Sequence, residues 1–167
     1  MRLEPFCRIT MRYAEASWHR PYGSGEQSEG VGFGLGDGEV SGEIEGKAIW
    51  ANYPRRRQDG VWMPNLRGVI TTQDDTELLL SVHGQSVQEQ APASRRAILA
   101  RVELTTEAER YGWLNTCFLV AEGEIDEERE EWWLETYVCV NEVAQGPAAL
   151  GAEPPERFRQ VGAGDSA

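Results

Sequence analysis

The chain has 167 residues, 40% of them hydrophobic, which fits one globular domain with a core of its own rather than a disordered chain. Its formal net charge of −12, from 28 acidic against 16 basic residues, disfavours nucleic acid and anionic membrane surfaces as partners, because both attract cations. The N-terminus lacks an apolar signal segment, no apolar run reaches the ~18 residues that span a bilayer, and Cys7, Cys117 and Cys139 form no Cys-x-x-Cys pair; free thiols in a cytoplasmic protein are therefore expected.

Residues 6–14 alternate Cys7, Ile9, Met11 and Tyr13 with polar residues, the period of a half-buried strand. Residues 15–30 lose that period and read as a loop, with Trp18, His19 and Tyr22 placed to cap a pocket mouth. Residues 31–36 alternate apolar side chains with a glycine ladder, so one strand face is bare. Such a face suits a sharp bend or the close approach of a ligand or another backbone. Asp37-Gly38 carries a hairpin signal, with 39–51 returning as the partner strand. A polar loop follows over 52–60, then strands at 66–72 and 77–83.

Beyond a loop at 84–95, residues 96–105 alternate again, and 111–121 are apolar on both faces, as in a strand covered on both sides. The acidic run 122–131 reads as a solvated turn or short helix, and 132–141 as the last strand. A barrel domain over 1–144 and a disordered Gly/Ala/Pro-rich tail over 145–167 are expected. Seven or eight strands at roughly 10–15-residue spacing, with little helix, point to an all-β fold. The favoured form is a single closed antiparallel, calycin-like barrel of about eight strands, which removes sheet edges. A β-sandwich is the alternative.

Several chemistries lose support on spacing alone. The only histidines are His19 and His83, with no His-x-x-His or Glu-x-x-His pair, so no metal site is expected. The glycine ladder does not spell Gly-x-Gly-x-x-Gly, and no helix follows it to meet a phosphate. Gly23-Ser24-Gly25 is not a nucleophile elbow. No cofactor is expected.

The run from Gly34 to Gly84 resembles the family known as domain of unknown function 3237. The resemblance rests on Gly42-Glu43-Ile44-Glu45-Gly46, Trp50-Ala51-Asn52, Arg56-Arg57-Gln58-Asp59-Gly60 and Ile70-Thr71-Thr72-Gln73-Asp74-Asp75. Tyr111-Gly112-Trp113-Leu114-Asn115 and Ala121-Glu122-Gly123-Glu124 extend it, to about two thirds of the chain. The resemblance implies a small closed β-barrel that self-associates, as a homodimer or larger homo-oligomer, and no particular activity. Asp75-Thr76 departs from the Asp-Gly that often stands at this turn in the family.

Acid–base chemistry from carboxylate, tyrosine and amide groups is what the residues leave open. Asn52, Arg56, Arg57 and Asp59 crowd one loop after a strand, where barrels place their sites. Asp59 is a candidate base beside an apolar Trp62, and Arg56 or Arg57 a candidate clamp for an anion. Tyr111, Trp113 and Asn115 fall on one face if 111–121 is a strand, with Tyr111 and Asn115 as orienting donors. Trp50 and Glu122 complete the set of candidate binding residues. One reading is a barrel that binds a small, mostly apolar organic molecule and isomerises, cyclises or eliminates from it. A non-catalytic carrier and an interaction protein with a filled barrel are the alternatives. The structural reading of the same residues is an Asp-Gly turn tied by arginines and an aromatic core.

Overall fold

The computed structural model describes residues 1–22, 28–88, 94–142 and 153–159. Among the described residues, ten strands form one sheet: β1 (Arg2–Tyr22), β2 (Glu29–Gly42), β3 (Gly46–Asn52), β4 (Arg55–Arg56), β5 (Trp62–Met63), β6 (Asn65–Thr72), β7 (Glu77–Gln88), β8 (Arg95–Thr105), β9 (Leu119–Asp126) and β10 (Glu131–Val140). Eight of them pair antiparallel in a ring, β1-β2-β3-β6-β7-β8-β9-β10 and back to β1. The all-β, barrel-like expectation therefore holds. The two short strands β4 and β5 bridge β2 to β7 at one end, a second arc above the ring.

Side chains alternate inward and outward along each strand, as the pleat requires. Inward positions such as Ile9, Leu66, Ile70, Leu78, Val82, Leu119 and Leu134 are fully buried and fill the middle of the ring. Cys7 joins that core, where burial pushes its thiol up to about 12. The outer face is held by cross-strand ion pairs, among them Arg8–Glu135 and Arg12–Glu131. Among the described residues, no helix is long and apolar enough to cross a membrane.

Several boundaries differ from the sequence reading, each for an identifiable reason. Residues 15–22 are not loop: β1 continues to Tyr22 and pairs with β2 as a long hairpin arm. Asp37-Gly38 makes no turn. Asp37 pairs with both Arg12 and Ile49 in the middle of β2, and the chain turns instead after Gly42, whose φ of 127° only glycine adopts freely. A β-carbon on Gly38 would collide with the Thr10 carbonyl, so that glycine answers close strand contact rather than a turn. Strand β7 runs through Gly84 to Gln88, into the expected loop. The acidic run is strand as far as Asp126.

The largest change lies at 109–116. Glu109–Thr116 is a 3-10 segment, not a strand, and strand β9 begins only at Leu119. Its two-sided apolar content reflects a plug: Trp113 and Leu114 are buried across the end of the ring opposite β4 and β5. Phe158, in the short 3-10 turn Glu156–Phe158, seals that end and is 1% exposed. Its ring stacks on Trp113 at 5.5 Å and meets Phe6 edge-on at 5.9 Å. Arg157 beside it pairs with Glu43. Disorder was expected for the whole of 145–167; residues 153–159 are docked, and 145–152 and 160–167 lie outside the described residues.

Candidate functional site

One end of the ring is plugged; the other holds a cavity of about 1020 Å3. The glycine ladder builds it. A β-carbon on Gly32, Gly34 or Gly36 would lie closer than 3.0 Å to the ring of Trp18, Tyr13 or Trp50 respectively. The bare strand face is thus a bed for three aromatic rings from the neighbouring strands β1 and β3. The sequence suggests a bend or the approach of a ligand or another backbone here; what approaches is side chains of the same molecule and, at Gly36, the Arg12 carbonyl.

Those rings lock one another. Tyr13 stacks on Trp132 at 6.0 Å with 6° between planes. It meets Trp50 edge-on at 4.8 Å and Trp18 at 6.0 Å. Trp18 in turn meets Trp62 of β5 at 5.3 Å, so the hairpin arm and the β4–β5 arc join across an aromatic pair. Tyr13, Trp18 and Trp62 line the cavity, and Trp50 supports Tyr13 from behind with its indole N–H donated to the Asp37 carbonyl at 3.1 Å.

Polar groups occupy the same end of the strands. Asn52, Ser86 and Arg96 all sit at inward positions, in phase with the core residues of β3, β7 and β8, and all are buried. Asn52 Oδ1 accepts the Asn65 backbone N–H at 3.0 Å, which orients its amide. Its Nδ2 then donates to the Tyr13 hydroxyl at 3.0 Å. Burial pushes Tyr13 above the usual tyrosine range and outweighs the opposing Asn52 bond, so the hydroxyl stays protonated.

Arg96 is committed to structure. Its Nε donates to Ser86 Oγ at 3.3 Å and its Nη1 to Gln88 Oε1 at 2.9 Å. Its Nη2 donates to the carbonyls of Gly60 and Ser86 at 3.0 and 3.1 Å, and Glu127 lies 3.6 Å away. This arginine ties the loop after β4 to β7 and β8. Arg56 donates through Nη1 to the Ser28 carbonyl at 2.5 Å, across the arc to β2.

The remaining sequence candidates separate. Asn52, Arg56, Asp59 and Trp62 line the cavity together. Asp59 is exposed, however, and both its oxygens are engaged by its own loop: Oδ2 accepts Arg57 Nη2 at 2.5 Å and Oδ1 the Val61 N–H at 3.3 Å. The apolar wall that a base role for Asp59 calls for does not enclose it. Arg57 is likewise exposed in that pair and does not line the cavity.

Tyr111, Trp113 and Asn115 stand at the opposite, plugged end, so the composite site expected from the two stretches does not form. Asn115 Oδ1 accepts the Thr106 N–H at 2.8 Å and Nδ2 donates to the Thr106 carbonyl at 2.9 Å, fixing the turn after β8. The Tyr111 hydroxyl reaches Asp74 at 3.4 Å on the surface. Glu122 lies on the outer face and accepts the Tyr137 hydroxyl at 2.9 Å.

Tyr13, Ser86 and Arg96 are among the lining residues to which the sequence assigns no site role, whereas Trp18 and His19, read as a pocket cap, do line the cavity. A signal for two of them was present: Arg96 and Ser86 continue the inward phase of Ile98 and Val82 with polar side chains. Polar residues at core phase, clustered at one end of several strands, mark a wet end of the ring. The cavity wall carries the guanidiniums of Arg20, Arg56 and Arg96 against the carboxylates of Asp59, Asp126, Glu127 and Glu130. Aromatic faces, one oriented hydroxyl and a near-neutral charge balance suit an uncharged, partly aromatic molecule. Among the described residues, no three His, Cys, Asp or Glu side chains are grouped to hold a metal ion.

No protein-family model matches the chain, and no curated protein matches it. Solved structures do. A β-barrel-like protein from Acinetobacter baumannii AYE is 14% identical, with a TM-score of 0.67 over 82% of this chain and 94% of its own. A protein of unknown function from Clostridium acetobutylicum ATCC 824 is 17% identical, with a TM-score of 0.70 over 83% and 99%. An enzyme from Penicillium herquei is 19% identical, with a TM-score of 0.53 over 82% and 92%. At such identities the likeness speaks for the fold alone.

Proposed function

We propose that this protein binds a small, mostly apolar organic molecule in the cavity at the open end of a closed eight-stranded barrel. The observation that carries the reading is a cavity of about 1020 Å3 walled by Tyr13, Trp18 and Trp62, with Asn52 placed among them. That is large for a packing defect and of the size that holds a drug-like ligand. Ligand screening by thermal shift, followed by tryptophan fluorescence titration, tests it. Aromatic compounds should stabilise the protein, and Trp18→Ala and Trp62→Ala should weaken their binding. Tyr111→Phe and Asn115→Ala, at the plugged end, should leave affinity unchanged. If no compound of a broad aromatic and carbonyl set stabilises the protein, the binding reading is wrong.

A catalytic reading, acid–base isomerisation, cyclisation or elimination without a cofactor, is favoured over a pure carrier by one feature. The cavity pairs an oriented neutral donor, Tyr13, with carboxylates at its rim, the two kinds of group such proton transfers need. The Penicillium herquei enzyme makes the scaffold compatible with catalysis. We further infer that the chain belongs to the domain of unknown function 3237 family and self-associates. Light scattering checks the second point: a mass of one chain at micromolar concentration would refute it.

A further inference from the structure

We propose that the Tyr13 hydroxyl is the hydrogen-bond donor for a carbonyl oxygen of the ligand, with Asn52 as the residue that positions it. The inference rests on the binding reading above and names the group on the ligand that the cavity recognises.

The argument is one of direction. A phenol has one hydrogen to give and lone pairs to accept with. The Asn52 amide nitrogen donates to the Tyr13 oxygen at 3.0 Å. That amide cannot present its oxygen instead, because Oδ1 already accepts the Asn65 N–H from the start of β6. The chain Asn65 N–H to Asn52 to Tyr13 therefore runs one way, and its last hydrogen is left over. Among the described residues, no group accepts that hydrogen. The next acceptor along this relay is whatever lies in the cavity that Tyr13 lines. Bonds in such a chain polarise one another, which strengthens the terminal donor.

The donor is also rigid. Gly34 leaves room for the ring, Trp132 stacks on it, and Trp50 and Trp18 hold its edges. Aim is fixed before the ligand arrives, so little rotamer freedom is lost on binding. Burial keeps the phenol protonated over the physiological range.

The acceptor is an uncharged oxygen rather than a carboxylate. Arg96 has its donors engaged with Ser86, Gln88, Gly60 and Glu127, and Arg56 donates to Ser28. The lining carries four carboxylates against three guanidiniums, which gives an anion no net attraction. A ketone or aldehyde on an aromatic body meets the same wall without that penalty, and Trp18 and Trp62 supply faces for the body.

The test compares 2-acetylnaphthalene with 2-isopropenylnaphthalene, which match closely in shape and differ in having C=CH2 where the ketone has C=O. The wild-type protein should bind the ketone about two- to tenfold more tightly, the worth of one net hydrogen bond. The carbonyl stretch of the bound, 13C-labelled ketone should shift to lower wavenumber. Tyr13→Phe, which keeps the ring on its glycine, should erase both the preference and the shift. Asn52→Asp should do the same by another route. Its carboxylate still accepts the Asn65 N–H but also takes the Tyr13 hydrogen, turning it away from the cavity. A merely structural tyrosine would leave the infrared band unmoved. Equal affinity for both compounds in the wild type, or a preference that survives Tyr13→Phe, overturns this inference and leaves the binding reading standing. Binding of neither compound counts against both.

Discussion

Gly34→Ala adds one methyl group to the bed that carries Tyr13, and its cost follows from what surrounds the ring. The new β-carbon would lie closer than 3.0 Å to two carbons of the Tyr13 ring, a separation that real side chains do not tolerate. The ring is hemmed in on two sides: Trp132 covers one face at 6.0 Å and Trp50 closes an edge at 4.8 Å. Overpacking of this kind costs about 1–3 kcal/mol. Losing the bond to Asn52 adds about 1 kcal/mol. Replacing a strand glycine by alanine returns roughly 0.5–1 kcal/mol through the unfolded chain. The net is about 2 kcal/mol, or about 4–8 °C in Tm for a domain of this length. Urea unfolding followed by tryptophan fluorescence measures it, against the same substitution in a Tyr13→Ala background. There the clash is gone, and the added methyl should cost less than about 0.5 kcal/mol. The reasoning is refuted if Gly34→Ala matches wild-type stability, or if its cost is the same in both backgrounds.

Phe158→Ala should destabilise the fold by about 3–5 kcal/mol in the same urea assay, because the ring is 1% exposed and stacked on Trp113; a loss under about 1 kcal/mol would mean that the segment is not docked. Arg96→Ala should cost about 2–4 kcal/mol, since it strands the buried Ser86 and half-buried Gly60 carbonyls, and Arg96→Lys should recover less than half, as an ammonium cannot serve partners spread around a guanidinium. Tyr13 makes stability fall in alkali. Its folded pKa is raised, so its contribution is intact below the usual tyrosine value of about 10 and is lost as pH rises through the higher folded value. Between pH of about 9.5 and 11 the wild-type urea midpoint should therefore drop more than that of Tyr13→Phe, and parallel profiles would contradict the assignment.

The strand assignments were legible wherever one face was apolar and the other polar. Residues 6–14, 66–72, 77–83 and 96–105 all fall within strands. Two local signals misled. Asp37-Gly38 has hairpin chemistry, but strands on both sides hold it extended. Residues 111–116 have the composition of a doubly covered strand, and they are buried for a different reason, as a 3-10 plug over the end of the ring. Apolar content reports burial; it does not report which backbone shape achieves it.

Alternation along the chain determined the all-β class and the inward and outward sets, because the pleat fixes side-chain direction locally. The glycine ladder likewise announced a bare strand face. What only the tertiary structure decided is which groups meet. Tyr13 and Asn52 are 39 positions apart, and they bond because β1 and β3 flank β2 and leave the ring at the same end. Asp59 and Tyr111 are 52 positions apart by the same numbering (111 − 59) and lie at opposite ends of the ring. Chain separation does not distinguish these two pairs. Strand direction and register do, and both arise from long-range pairing that no local window contains.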